Sequence, residues 1–573
     1  MKSRPHQTIQ RMVSISLVGL VIGLTTAFAT IGFVELVHYL NDILYVSASS
    51  RAGVEDGRLW LITIASLTIG GLVVGLIMQY GVERQESTGP HDTIYAVQLH
   101  ERLPSPMSGV SSTIAAILSL GCGASVGQYG PLVYLGTLVG QVGNRIGFGL
   151  KDVRNIAIAC GVAAAISTAF NAPIAGLIFT HEVILRHYSL RMFTAVTIAS
   201  ACGYLVANVI FNHPPLLLIN FTGSFRGVEF FLFALEGIAC GMLAVLFLKM
   251  LKHTISLSKR VKTPPALKPM FAGFILALVA MQIPQVLGAG QEVLNQATLG
   301  GVYSADSLVL ILIAKLLVTV LCIGFGFAGG VIFPSLLIGV LFGALFALLV
   351  PEMLLDDYSG ISTYAICGMV AMMSPIIGAP MTALLLVFEL TRSYEITIAA
   401  MLAIVFANLM AYNWYGRSLY DHQLKLRGID LSMGRERAYL MHHKVAEHVT
   451  ESLPLIQQTA NLGALRLKMS ENSSASAVIV DHDNRYLGQV FQHQLHELDD
   501  GTALTSIELQ QGNIFNENTS IWEAMQIMRG YFGEAIAVVD SATGSYLGAI
   551  PEAVVINAYL DAAQELRREK YEV

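Results

Sequence analysis

The stretch GQYGPLVYLG at residues 127–136 decides the fold, because a stretch of the same design, GVIFPSLLIG, follows at 330–339. Each is followed by a second motif, NAPIAG at 171–176 and GAPMTA at 378–383. In these stretches Gly and Pro precede an apolar helical pattern, where proline costs little because its missing N–H would have no helical partner. Matching Gly/Pro-interrupted segments in two halves of a membrane protein indicate broken helices whose N-terminal amides can face an anion.

Composition places the chain in a membrane. Its 573 residues are 54% hydrophobic and 13% charged, and the mean hydropathy is +0.60. Apolar runs of about 20 residues, the length of a span, recur from Val13 to Leu419. We expect residues 1–12 to be a cytoplasmic N-terminus. A cleaved signal peptide would also pair basic residues with an apolar run, but this run is too long and lacks a convincing cleavage site.

Charge and cysteine usage exclude several functions. The net charge of −6 gives no reason to expect a nucleic-acid partner. The six cysteines lie singly in apolar segments, without metal or redox spacing, which predicts buried free thiols. We therefore expect no metal site, no catalytic residues and no enzyme activity.

Loop charges predict how the spans are oriented. Six basic residues and no acid lie between 249 and 268, so this loop should be cytoplasmic. The apolar run after the first motif leads to a basic stretch at 145–154, whereas the equivalent run in the second half leads to acids at 352–357. Matching segments then leave the membrane on opposite sides, which predicts inverted repeats at about 13–212 and 228–420.

The last part of the chain is polar and holds two similar units. ASAVIVD at 475–481 is followed by YLG at 486–488, and EAIAVVD at 534–540 is followed by YLG at 546–548. Each unit predicts a strand, a turn and a second strand after a helix. We predict a membrane domain at 13–420, a linker at 421–445 and a tandem α/β domain at 446–573.

These features resemble the CLC family of chloride channels and chloride/proton exchangers, and the tail resembles a pair of CBS domains. The resemblance implies an all-α polytopic membrane protein with an inverted repeat of broken, re-entrant helices, followed by cytoplasmic α/β tandem CBS domains. It also implies a homodimer with one pore per subunit. Its partners would be chloride and similar anions and the lipid bilayer, in a bacterial inner membrane with both termini in the cytoplasm.

The resemblance assigns the anion site motif by motif. The family's Gly-Ser-Gly-Ile-Pro is similar to STGPH at 87–91, its Gly-Lys/Arg-Glu-Gly-Pro to GQYGP at 127–131, and its Gly-x-Phe-x-Pro to GVIFP at 330–334. The ligands that this implies for chloride are two backbone amides and two hydroxyls, those of Val331, Ile332, Thr88 and Tyr420. The remaining pore-motif residues are Gly89, Gly127, Gln128, Gly130, Pro131, Gly330, Phe333 and Pro334.

Two of these assignments have plainer alternatives. Threonine commonly caps a helix, and a tyrosine after the last apolar segment is typical of the membrane interface. For Thr88 and Tyr420 the surrounding motifs favour chloride binding over these roles. Uncharged donors suit a transported anion, because a full countercharge would hold it too tightly to release.

The departures from the family bear on mechanism. Tyr129 stands at the family's gating glutamate, and a neutral tyrosine cannot act as a tethered anion, although it could be an inert plug. Aligning NAPIAG places Val183 at the exchangers' inner proton-transfer glutamate. The intramembrane carboxylates Glu182 and Glu389 could be a proton relay, or could be held by the amides of a neighbouring broken helix; their equivalence in the two repeats favours the structural role.

The sequence thus predicts a passive, chloride-selective anion channel. The alternatives are a chloride/proton antiporter with a non-standard proton path, a fluoride-exporting relative, and a non-conducting membrane sensor whose CBS tail is the working part. Family fluoride exporters resemble exchangers in keeping the gating glutamate, which argues against the second. Beyond bound chloride we expect no cofactor, and no nucleotide in the CBS pair, because neither unit supplies the family's ribose-binding aspartate.

Overall fold

The computed structural model describes residues 5–51, 54, 56–83, 88–145, 153–214, 216–217, 225–354, 358–450, 453–496, 498–510, 512–531 and 534–571. The chain divides into two compact units, Met1–Leu424 and Lys425–Glu572. The described part of the first unit is built of helices, and the second is a small α/β unit.

The first unit begins with the helices of one repeat. They are α1 (Pro5–Ile43), α2 (Ala48–Arg51), α3 (Asp56–Gly81), α4 (Pro90–Gln98), α5 (Pro106–Gly121), α6 (Tyr129–Arg145), α7 (Arg154–Phe170), α8 (Pro173–Phe179) and α9 (Leu190–Tyr204). Two π-helical turns, Thr180–Leu185 and Leu205–Ile210, extend α8 and α9. Helix α1 begins at Pro5, so part of the predicted N-terminal tail is helical.

The second repeat follows with the same order of long helices. Its helices are α10 (Glu229–Arg260), α11 (Leu267–Gln282), α12 (Gln291–Leu299), α13 (Ala305–Gly324), α14 (Ile332–Leu349), α15 (Pro351–Leu354), α16 (Ile361–Ile377), α17 (Pro380–Thr391), α18 (Tyr394–Trp414) and α19 (Leu419–Leu426). Seven helical segments in the described residues are long and apolar enough to cross a membrane. The chain is therefore a multi-pass membrane protein.

Glycines set the close packing of the two repeats at matching places. A Cβ added at Gly19 of α1 would lie 2.5 Å from the carbonyl oxygen of Ala195 in α9. A Cβ at Gly237 of α10 would lie 2.4 Å from that of Ala403 in α18. Only glycine lets the backbones approach this closely, so the same small-residue contact holds the outer helices of each repeat together.

The helices that follow the two pore motifs pack in the same way. Helix α6 meets α7 where Gly136 faces Gly161, and α14 meets α16 where Gly339 faces Gly368. A Cβ at any of these four glycines would lie 2.5 Å or less from a backbone oxygen of the facing helix. Each motif-bearing helix is thereby fixed against a second helix of its own repeat.

The tail consists of two β-α-β-β units preceded by α20 (Arg435–His442). The first has β1 (Leu455–Gln457), α21 (Leu462–Glu471), β2 (Ser476–Val480) and β3 (Tyr486–Phe491); the second has β4 (Phe515–Asn516), α22 (Ile521–Met528), β5 (Ala535–Val539) and β6 (Tyr546–Pro551), followed by α23 (Glu552–Tyr571). In each sheet the first two strands are parallel and the last two antiparallel. The sequence predicts the last two strands of each sheet but misses β1 and β4, which are only 3 and 2 residues long.

The two tail units are joined through their strand turns, and the predicted linker takes part in the fold. The N–H of Tyr486 donates to the carbonyl oxygen of Gly544 at 3.0 Å, and the N–H of Tyr546 to that of Asn484 at 2.9 Å. Leu440 and Val445, which the sequence places in the linker at 421–445, are buried in the core of the second β-α-β-β unit of the tail. Residues 435–442 are a packed helix rather than an extended connection.

Candidate functional site

The two halves of the chain meet at the glycines that open the pore motifs. The N–H of Gly127 donates to the carbonyl oxygen of Gly330 at 2.8 Å, and the N–H of Gly330 donates back to that of Gly127 at 2.6 Å. Gly130 also lies against Gly330, since a Cβ added there would be 3.0 Å from the Gly330 Cα. The N-terminal ends of α6 and α14 are therefore held directly against each other.

Helix α14 presents free amides at this junction. Val331 precedes the helix and Ile332 is its first residue; both side chains are buried. Within the described residues no group accepts a hydrogen bond from either N–H, because the first amides of a helix have no partner inside it. Phe333 stands one position later than the phenylalanine of the family motif, which puts Ile332 in that place.

Helix α4 begins beside the same junction, and an acid in its own first turn caps its N-terminus. A Cβ at Gly130 would be 3.9 Å from the Cδ of Pro90, the first residue of α4. The N–H of Gly89 donates to Oδ2 of Asp92 at 3.0 Å, so this amide is already occupied. The buried Thr88 donates its N–H to the hydroxyl of Ser112 at 3.1 Å. In the described part of the chain the Thr88 hydroxyl has no partner of its own, which leaves it available as a donor.

Tyr420 belongs to α19 and is buried. The start of this helix is fixed by its neighbour Asp421, which accepts from the hydroxyl of Ser418 at 2.9 Å and from Nη1 of Arg186 at 2.7 Å. Arg186 follows the π-helical turn of the first repeat. The structure thus positions Tyr420 through a contact separate from the junction of α4, α6 and α14.

Tyr129 lies inside a stack of aromatic rings. It is the first residue of α6 and is 1% exposed. Its ring stacks on Phe170 at the end of α7, with 3.7 Å between ring centroids and 21° between planes. Phe333 lies on another side, with a centroid distance of 5.8 Å. The side chain following Gln128 is therefore a packed, uncharged ring between the two motif helices.

Val183 lies in the π-helical turn, where the two repeats differ in length. From Glu182 to the left-handed Arg186 is four positions (186 − 182), whereas from Glu389 to the left-handed Arg392 is three (392 − 389). The first repeat has one extra residue at this place, and such π insertions are frequent at functional sites. Val183 is buried, and it lines a cavity of about 900 Å³ together with Glu182, Arg186, Asn408 and Asp421.

The two intramembrane carboxylates cap helices of the opposite repeat. Glu389 accepts hydrogen bonds from the N–H groups of Ile174 at 2.8 Å and Ala175 at 2.7 Å, at the start of α8. Glu182 accepts from the N–H of Met381 at 2.9 Å and of Thr382 at 2.8 Å, at the start of α17. The Thr382 hydroxyl adds a third bond, of 2.6 Å, to Glu182. A negative charge at a helix N-terminus is favourable, so each acid has a structural partner.

Several residues that shape this site were not singled out in the sequence. Arg186 and Asp421 are 235 positions apart, and no local pattern pairs them. Phe170 is one apolar residue among many in α7. Asp92 had a usable signal, because an acid two positions after a first-turn proline is typical of a capped helix start.

The tail holds a separate cavity of about 610 Å³. It is lined by residues of the first β-α-β-β unit of the tail, among them Thr459, Lys468, Asp481 and His482. The Lys468 ammonium donates to the carbonyl oxygen of Leu455 at 2.7 Å. Gln489, in the segment where the family's ribose-binding acid would be expected, is buried and donates its side-chain amide to the Ser476 hydroxyl. The expectation that this tail binds no nucleotide stays a prediction.

Comparisons with known proteins place the chain among anion transporters. The family described as voltage gated chloride channel matches residues 70–412. A ClcB-like chloride channel protein of Ralstonia nicotianae is 26% identical, over 70% of this chain and 95% of its own length. The H⁺/Cl⁻ exchange transporter ClcA of Vibrio parahaemolyticus is 28% identical, over 73% of this chain and 92% of its own.

Solved structures show the same fold. A slow cyanobacterial Cl⁻/H⁺ antiporter superposes with a TM-score of 0.66 at 22% identity, covering 72% of this chain and 98% of that one. A eukaryotic CLC transporter superposes with a TM-score of 0.63 at 16% identity, covering 94% of this chain and 97% of that one. The predicted fold class, an inverted-repeat helical membrane domain with an α/β tail, is confirmed.

Proposed function

Because the chain belongs to the family described as voltage gated chloride channel, which transports chloride across membranes, we propose that it is a passive, chloride-selective anion channel. The packing of Tyr129 carries this proposal. A gating acid has to alternate between a charged and a protonated form, and a tyrosine ring stacked on Phe170 supplies no such group. Val183 likewise has nothing to protonate at the inner position.

The proposed chloride ligands are the free amides of Val331 and Ile332 with the hydroxyls of Thr88 and Tyr420. All four residues are buried, and none of them brings a fixed positive charge. Amide and hydroxyl dipoles can replace part of the water around chloride without holding it too tightly to leave. The start of α14 adds the favourable end of a helix dipole.

A chloride/proton antiporter is the second candidate, because relatives and a structural neighbour are named as exchangers. In that case the proton path would have to bypass Tyr129 and Val183. The intramembrane acid nearest to the inner position is Glu182, which is already bonded to the amides that start α17. An acid held in this way has little reason to release its charge, which favours the channel.

One liposome experiment separates the two functions. Purified protein is reconstituted with a chloride gradient and no proton gradient, and anion and proton fluxes are recorded together. A channel moves chloride without proton movement, and its reversal potential follows chloride alone. Uphill proton movement in a fixed ratio to chloride would establish the antiporter. Repeating the assay with fluoride tests the fluoride-exporting alternative, and the absence of any flux would favour the membrane sensor.

We also propose that the protein is a homodimer of the inner membrane with both termini in the cytoplasm. The family resemblance supports the dimer, and the basic loop at 249–268 supports the orientation. Labelling of single cysteines with a membrane-impermeant reagent in intact cells tests the orientation. A cysteine placed in the basic loop should be protected, as should one placed in the tail after Lys425.

A further inference from the structure

Glu236 is a buried acid in the middle of α10 that the pore motifs do not involve. The residue is 0% exposed, and within the described residues neither carboxyl oxygen meets the geometry of a hydrogen bond, although the backbone of Gly368 lies beside it. Its Oε1 faces two glycines: a Cβ added at Gly343 of α14 would lie 2.9 Å from it, and one at Gly368 of α16 would lie 3.0 Å from it. A charged carboxylate here would lose its hydration with only the Gly368 backbone beside it in exchange, so this environment fits the neutral acid.

The first repeat shows that the fold does not need an acid at this place. Gly19 of α1 and Gly237 of α10 pack on their partner helices in the same way, which makes Val18 the equivalent of Glu236. Val18 is also 0% exposed. Because an apolar residue fills the same position in one repeat, packing alone does not account for a carboxyl in the other.

Polar groups connect this acid to the start of α10. Glu229, two helical turns earlier, accepts hydrogen bonds from the N–H of Ser359 at 3.0 Å and from the hydroxyl of Tyr364 at 3.2 Å. Tyr364 also lies near Glu236, since a Cβ added at Gly343 would be 2.3 Å from the Tyr364 carbonyl oxygen and 2.9 Å from Oε1 of Glu236. Its ring packs on Phe233, which lies between the two acids along α10, with a centroid distance of 4.8 Å. The Tyr364 hydroxyl both donates and accepts; it bonds to Glu229 but not to Glu236, so a proton passing between the two acids through Tyr364 would need a water or a side-chain rotation.

Within the described residues, the surroundings of Glu236 contain titratable groups but no cation directed at the carboxyl. Cys240 on the same helix, and Tyr364 and Cys367 on α16, lie near the carboxyl without bonding to it in this structure. Helix α14 has no charged residue, and the acid of α18, Glu395, bonds to a serine beside it. On α13 the ammonium of Lys315 donates to two backbone carbonyls instead. Among the described residues no cationic side chain faces the carboxyl, and the Gly368 backbone is the one neighbouring group that favours the ionised form.

We propose that Glu236 is a proton-binding site of the second repeat, loaded and unloaded past Tyr364 and Glu229, and that loss of its proton loosens the contact between α14 and α16. Helix α14 begins with the GVIFP motif, and its contact with α16 is made at Gly339 and Gly368. An ionised Glu236 would draw water into this contact. The proton state of one side chain would thereby be linked to the helix that presents the free amides of the anion site.

Infrared spectroscopy of the reconstituted protein tests the proton itself. At neutral pH the wild type should show the carbonyl stretch of a protonated carboxylic acid that both Glu236→Gln and Glu236→Val lack. The valine variant carries the residue that the first repeat uses and guards against a folding failure of the glutamine variant. Glu35→Gln, which changes an exposed acid of α1, should leave the band unchanged. A band of equal size in wild type and both Glu236 variants would overturn the proposal.

Exchange and flux test the rest. The band should shift on transfer to D₂O, and Tyr364→Phe should slow that shift. As the pH is raised, the band should disappear in wild type together with the chloride flux, whereas Glu236→Gln should lose this pH dependence. A band that persists unchanged to high pH, or an equal fall of flux in Glu236→Gln, would overturn the linkage. These readouts do not depend on whether chloride flux is coupled to protons, so they can fail or succeed separately from the proposed channel.

Discussion

Arg186 and Asp421 form an ion pair, with 2.7 Å between Nη1 and Oδ1, that ties the end of the π-helical turn to the start of α19. Their side chains are 22% and 15% exposed, so the pair is largely shielded from water. One partner follows Val183 by three positions and the other directly follows Tyr420. The ion pair therefore links the segment that holds Val183 to the helix that holds Tyr420, the proposed chloride-binding tyrosine.

Arg186→Gln should weaken chloride binding without touching a proposed ligand. Removing the guanidinium leaves the largely buried Asp421 carboxylate with one partner fewer, which costs about 1–3 kcal/mol. We expect lower thermal stability and a larger chloride dissociation constant by calorimetry. The control is Lys425→Gln, whose partner Asp430 belongs to a pair with side chains 52% and 43% exposed. Exposed pairs contribute about 0.2–1 kcal/mol, so this variant should resemble wild type. Equal effects of the two variants would contradict the positioning role.

Thr88→Val should weaken the anion site directly. The change keeps the shape of the side chain and removes a hydroxyl that has no partner among the described residues. A hydrogen bond to a charged group contributes about 1.5–3 kcal/mol, so chloride affinity should fall by roughly tenfold or more. Thr194→Val is a matched control, because that hydroxyl bonds to the Leu190 carbonyl within α9. Unchanged chloride binding and unchanged selectivity over nitrate in Thr88→Val would remove Thr88 from the site.

Glu182→Gln and Glu389→Gln should lower stability by similar amounts. Each acid accepts two backbone N–H groups at the start of a helix of the opposite repeat. An amide keeps one oxygen and turns an N–H donor toward the other site, at a cost of about 1–3 kcal/mol. Thermal unfolding in detergent measures the effect, with the exposed Glu395→Gln as control. A Glu182→Gln protein of normal stability but altered proton transport would contradict the structural role.

Local sequence signals predict the order of the secondary-structure elements of this protein but not the contacts between residues that are far apart in the sequence. The positions of Gly127 and Gly330, and the order of the elements around them, follow from Gly/Pro punctuation and apolar run length. The sequence does not indicate that these two glycines bond to each other, because their 203-residue separation (330 − 127) carries no local pattern.

Side-chain partners were harder to predict than positions. Tyr129 stands out as a departure from a motif, but its stacking partner Phe170 is an ordinary apolar residue at the end of a helix. Glu236 could have been found, since an acid inside an apolar run is a functional signal by itself. It lies outside the repeated motifs, whereas Glu182 and Glu389 each follow one and are therefore marked by the repeat.

The tail should not bind adenine nucleotides with micromolar affinity. The first tail unit has a cavity of about 610 Å³, but Gln489 within its strand β3 and Gln492 directly after it stand where a ribose-binding aspartate would be expected. Equilibrium binding of ATP and AMP to the full-length protein in detergent measures this. Saturable micromolar binding that Lys468→Ala or Asp481→Ala abolishes would show that the cavity is a nucleotide site after all.

Placing glutamate at residues 129 and 183 should produce coupling of chloride flux to proton flux in two steps. Tyr129→Glu replaces a packed ring with a group that can compete with chloride, so flux at neutral pH should fall and should rise as the carboxyl is protonated. With Val183 retained, proton movement should stay small, because no inner acid receives the proton. Adding Val183→Glu should then allow protons to move with chloride, measured as uphill proton flux in liposomes. Tyr129→Phe, which keeps the ring against Phe170, is the matched control and should conduct like wild type. If wild type and Tyr129→Phe both already pump protons, the path avoids residue 129, and Glu182 becomes the first acid to test as its carrier.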